Sequence, residues 1–235
     1  MIFGLEETGE IGLVGVQYEG MFYNIRIYDK ALSQEEIVFN SRADGTYGTD
    51  TQEKYITRNL LALYDGKLNN FNASTMATSH NSRETSVWYD LARRYGGVKN
   101  AEIKNFTIGS QSYWTDDGIH LSHTNNDGVF LGNQFGTLFK NSSATIEMVV
   151  RLEGMNNRLM FFGNCGSENV TNGFNFEPCN YNYFGYISRV WWNSGGADRY
   201  TSEYILPVNK KVTITLKYEN NTNTVTVYKN GVLIQ

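Results

Sequence analysis

Proline is nearly missing from this chain, at 2 of 235 residues, and cysteine and histidine are scarce too, at 2 and 3. No second cysteine pair or close histidine accompanies Cys165 and Cys179, which argues against a zinc site. Positive charge is not in excess. The 20 Lys and Arg against 24 Asp and Glu leave a net charge of −4, which argues against a nucleic-acid partner because phosphates call for a basic face. No stretch approaches the roughly 18 apolar residues of a spanning helix, so no membrane insertion is expected. The opening residues Met1 to Glu7 show neither the basic region nor the apolar run of a signal peptide. A phosphate-binding glycine motif is also lacking.

What the chain does have is 40% hydrophobic and 14% aromatic residues, enough for a large core, together with 23 Gly. Short β-branched and aromatic runs separated by Gly and Asn predict strands joined by tight turns. The clearest are Lys211–Tyr218 and Thr222–Lys229, both alternating at period two, followed by Asn230-Gly231 as a type I′ turn into Val232–Gln235. This meander is expected to have one buried and one wet face. Ala144–Leu152 alternates likewise, with Ile146, Met148, Val150 and Leu152 on one side. Further strands are expected at 11–16, 21–28, 118–121, 128–132, 158–162 and 183–190, with a turn at Tyr18-Glu19-Gly20. Ser33-Gln34-Glu35-Glu36 forms a capping box that starts one short helix, over 34 to about 41. The pattern is an all-β sandwich with one short helix.

Three segments resemble the laminin-G-like, concanavalin A-like jelly-roll family. Phe22–Ile37, with Arg26-Ile27-Tyr28 and the capped helix, is similar to the family's closing signature. Leu61–Gly66, Val87–Leu91 and Tyr113–Ile119 are similar to its opening half, and Thr224–Leu233 to the hairpin before its final strands. The order is rotated. Residues 1–46 supply closing strands and helix, 47–58 a joint, and 59–235 the opening and middle strands of one domain spanning 1–235. Circular permutation, an out-of-register repeat, and completion of a neighbour's sheet all fit this order; self-completion is the preferred expectation.

The family also houses β-glucanases, which place two carboxylates at alternate positions of one strand. Here strand 144–152 carries only Glu147, with Val149 at the next same-face position and Glu153 beyond the strand end. His120 and His123 are read as a pair of surface histidines, and Ser122 has no positioned acid for a triad. No catalytic residue is therefore expected. Binding is better supported: Tyr181, Asn182, Tyr183, Trp191, Trp192, Asn193, Asp198 and Arg199 gather the aromatic and polar groups that hold sugars. The expected partner is a carbohydrate or host surface receptor, with other subunits of the same assembly as the alternative, on a virion or outside a cell. Oxygen-rich loops at 65–70 and 124–127 are candidates for Ca²⁺. Cys165 and Cys179 bracket a Gly/Asn-rich loop that a disulfide would close, two unpaired small core residues being the other reading.

Overall fold

The computed structural model describes residues 12–13, 18–46, 54–69, 87–92, 100–104, 112–122, 128–131, 142–155, 162–163, 174–177, 189–192, 199–200 and 206–234. These form an all-β arrangement of two antiparallel sheets and one helix. The first sheet lines up β13 (Arg199–Tyr200), β12 (Arg189–Trp192), β11 (Phe174–Glu177), β10 (Phe162–Gly163), β1 (Gly12–Leu13), β8 (Gly128–Phe130), β5 (Ala101–Lys104) and β4 (Val87–Trp88). The second lines up β16 (Val232–Leu233), β15 (Thr224–Lys229), β14 (Lys211–Glu219), β9 (Ala144–Met155), β2 (Tyr18–Tyr28), β7 (Ile119–Leu121) and β6 (Tyr113–Trp114), with β3 (Leu60–Asp65) also paired to β2.

The period-two segments become the long strands of this second sheet. Ile146, Met148, Val150 and Leu152 of β9 join Val212, Ile214, Leu216 and Tyr218 of β14 in one apolar cluster. The same cluster takes Trp88, Ala101, Ile103 and Val129 from the first sheet and Leu131 just after it, so both sheets share a core. Trp88 is fully buried and makes an edge-on contact with Trp114 at 5.6 Å and a tilted one with Tyr64 at 6.0 Å. Each such side chain removed from water stabilises the fold by about 1.5–3 kcal/mol.

Strand β2 runs along β9 over its whole length, and meets β7 through residues 20–22 and β3 through 24–28 on its other edge. The early segment therefore supplies an interior strand. Phe22, Ile25 and Ile27 all face the core, although strict alternation would send 22 and 25 to opposite faces. A register shift between Phe22 and Asn24 resolves the conflict, with Tyr23 as the extra residue of a β-bulge. A second shift falls between Glu19 and Gly20, so the turn expected at Tyr18-Glu19-Gly20 is strand instead. Gly20 sits there at φ 146, and a Cβ would lie 2.1 Å from the Arg151 carbonyl oxygen.

Helix α1 (Gln34–Gly45) starts at Ser33 as the capping box predicts, with Ser33 Oγ accepting from Glu36 N and Glu36 accepting from Ser33 N. It continues about a turn past the expected end near 41, because Ala43 and Asp44 are buried against the sheet. Through Ile37 it packs on Tyr28, Leu60 and Tyr228. That packing dries the middle of the face expected to be wet, while Lys211 and Thr224 at the strand starts stay exposed as expected. Thr145 and Glu147 of β9 and Thr213 and Thr215 of β14 all point away from the core yet are buried.

Candidate functional site

Polar side chains on the outer face of the second sheet form two groups, one sealed and one open. The sealed group is centred on Arg26, whose side chain is fully buried. Its Nη1 and Nη2 donate to the two carboxylate oxygens of Asp44 at 2.6 and 2.8 Å, and its Nε donates to Glu147 Oε2 at 3.0 Å. The Tyr55 ring lies 4.0 Å from the guanidinium carbon. Asp44 also accepts from Thr213 Oγ1 at 2.8 Å. Glu147 accepts from Asn40 Nδ2 at 2.6 Å through Oε2, while Oε1 lies 3.1 Å from the Thr215 hydroxyl. Asn40 turns its amide oxygen to the backbone N–H of Ile56, tying the joint to the helix.

Burial works against charge on Arg26, but Asp44 and Glu147 outweigh it and hold the guanidinium well above its ordinary value. Burial pushes the Glu147 carboxyl up, the pull of Arg26 notwithstanding. It likewise raises the phenols of Tyr28 and Tyr55. This group is an internal fastening between helix, joint and sheet. Glu147 stands out in the sequence as a lone strand carboxylate; Asp44, the other acid on Arg26, left no local signal, being set by where α1 ends.

The open group lies farther along the same face. Strand register places Tyr113, His120, Met21, Arg151 and Lys211 side by side across five strands. Tyr113 is 43% exposed, and its ring stacks on His120 at 4.8 Å between centroids. His120 Nε2 is 3.1 Å from Glu153 Oε2, and Glu153 Oε1 accepts from the Arg151 guanidinium. Although burial opposes its charge, these contacts hold the Glu153 carboxyl below the ordinary carboxylate range. Lys211 Nζ stands 5.7 Å from the centre of the Tyr23 ring. The expectation of a surface histidine fails for His120, which is only 7% exposed because Tyr113 and Glu153 cover it. Its Nδ1 is buried without a hydrogen-bond partner among the described residues.

Of the residues expected to bind ligand, Tyr181, Asn182, Tyr183, Asn193 and Asp198 lie outside the described residues. Trp191 and Trp192 are in β12, opposite Asn175 and Phe174 of β11, and Arg199 in β13 pairs with Val190. Strand pairing thus brings the two tryptophans and Arg199 into one part of the first sheet. Cys165, Cys179, His80, His123 and the loop at 124–127 fall outside the described residues. In the other loop considered for Ca²⁺, Asp65 accepts from Asn24 Nδ2 and Leu68 N, and Asn69 bonds Val87 O and Tyr89 N. Those groups already serve the turn. Among the described residues, no group of three or more His, Cys, Asp or Glu is placed to hold a metal. No helix among them is long and apolar enough to cross a membrane.

Comparison with protein-family models, with curated proteins and with solved structures gives no match.

Proposed function

We propose that this chain is a non-catalytic, lectin-like binding or adhesion module of concanavalin A-like jelly-roll fold, acting on a glycan or host receptor outside a cell or on a virion. The observation that carries the reading is the open row on the second sheet. Tyr113 offers an exposed aromatic ring suited to the C–H face of a sugar, held from behind by His120. Arg151 and Glu153 offer a donor and an acceptor for hydroxyls, each fixed by the other. Fixing such groups before binding lowers the ordering cost of recognition. The carboxylate that a two-acid hydrolase would need on β9, Glu147, is sealed under α1. The laminin-G-like resemblance and the two sheets with a common core support the fold part of the proposal.

A second reading, a structural module contacting other subunits, draws on β16. This two-residue strand ends its sheet with Val232 64% and Leu233 55% exposed, and open apolar edges invite pairing with another chain. Screening the purified protein against glycans and bacterial envelope polysaccharides, with and without Ca²⁺, separates the two. Saturable binding that drops at least tenfold in Tyr113→Ala or Arg151→Ala supports the open row. Loss in Trp191→Ala with those two variants unaffected moves the site to the first sheet. No binding by folded protein favours the structural reading.

A further inference from the structure

The Arg26 group buries the Asp44 and Glu147 carboxylates and one guanidinium, together with the neutral Asn24, Tyr28, Asn40, Thr213 and Thr215; Tyr55 lies half-buried over it, and the buried Asp65 carboxylate stands one hydrogen bond beyond, on Asn24. With both acids that bond Arg26 ionised, they would outnumber its charge by one, an arrangement that proteins avoid by neutralising a group. The hydrogen bonds show which acid gives way. Asp44 receives both terminal nitrogens of Arg26, the Thr213 hydroxyl and a hydrogen bond with Tyr55. It is fully supplied with donors, as a carboxylate requires. Glu147 has nitrogen donors on one side only, and its other oxygen meets a hydroxyl alone. Both nitrogen donors, from Arg26 and Asn40, converge on Oε2, while Oε1 faces a hydroxyl that can accept as readily as donate.

We propose that Glu147 is a protonated carboxylic acid in the folded protein at neutral pH, donating through Oε1 to Thr215, and that this proton keeps the Arg26 group neutral as a latch holding α1 and the 54–57 segment on the sheet. The facing groups come from every described element packed there: Asn24, Arg26 and Tyr28 from β2, Asp65 from β3 behind Asn24, Asn40 and Asp44 from α1, Tyr55 from the joint, and Thr213 and Thr215 from β14. Burial raises the Glu147 carboxyl above its ordinary 4.5, in agreement with the hydrogen-bond pattern. The folded state then holds a proton that the unfolded chain releases. The stabilisation is complete below the unfolded value and is lost as pH rises through the folded one. Removing the proton puts a second negative charge against Arg26 beneath α1, so that helix and the joint loosen first.

Denaturant unfolding of wild type and Glu147→Gln from pH 4.5 to 9 tests the latch, since Gln keeps the shape of the acid without its proton. The ratio of wild-type to variant folding constants is expected to fall with rising pH, by up to about tenfold per pH unit inside the titration window. The side-chain carbonyl carbon of Glu147 in wild type, followed by NMR, is expected at its protonated shift at pH 7. A ratio that stays flat or rises with pH overturns the proposal. So does a Glu147 resonance already ionised at pH 7, a readout that stands even if the variant fails to fold.

Discussion

Arg26 shows how much one buried charge depends on its neighbours. Alone in a sealed site it would be costly, yet three hydrogen bonds to carboxylates, a fourth to the Asn24 amide oxygen and the Tyr55 ring satisfy it. Removing one partner of such a group leaves the others uncompensated, so Asp44→Ala is expected to lose about 3–5 kcal/mol of unfolding free energy in urea titrations. Trp88→Ala, which empties the contact between the sheets, is expected to cost about 3–5 kcal/mol by the same measurement. Some of this residue-scale chemistry was legible and some was not. Arg26 stood out in the Arg-Ile-Tyr run, and Glu147 as a lone acid on an alternating strand. Their meeting was not legible, since 121 residues separate them and only strand register brings them together. His120 escaped for a similar reason: its burial comes from Tyr113 across one strand pair and Glu153 from β9.

At the scale of elements, local rules did well wherever the stabilising contacts are themselves local. The capping box at Ser33 forms as written, and Ser33→Ala is expected to cost about 1 kcal/mol, read from thermal or urea unfolding. Burial opposes the Glu36 charge, but hydrogen bonds from Lys30 and Ser33 N hold its carboxyl below the ordinary range. Because the folded value is depressed, this contribution is present above the unfolded value and lost as pH falls through the folded one. Glu36→Gln is therefore expected to flatten part of the acid limb of the pH–stability curve. The turn at Asn230-Gly231 has φ of 51 and 76, the doubly positive pair that a type I′ hairpin needs. Asn59, Asn209 and Asn223 also sit at positive φ, so among the described residues asparagine takes left-handed turn positions beside glycine. The bulge at Tyr23 was not legible, because no residue type demands it. It exists so that Phe22 and Ile25 can both reach the core.

For the whole molecule, the pairing of β2 with β9 joins residues far apart in sequence, and β14 pairs with β9 over a long gap as well. Non-local strand pairing must close long loops before it is rewarded, so refolding is expected on the millisecond-to-second scale typical of such sheets, measurable by stopped-flow fluorescence. A compact monomer by light scattering would support residues 1–46 completing their own sheet, and a ladder of oligomers would support exchange between chains. Composition and periodicity by themselves determined the all-β class, the alternating strands, the hairpin and the start of the helix, because each rests on side-chain size and backbone preference within a few residues. Tertiary structure alone decided which outward faces stay dry, where β2 bulges, that Glu147 lies beneath α1 while Tyr113 stays open, and which acid meets which base. Those outcomes depend on sheet register and helix placement, which are set by the packing of the whole core and leave no trace in any short stretch of sequence.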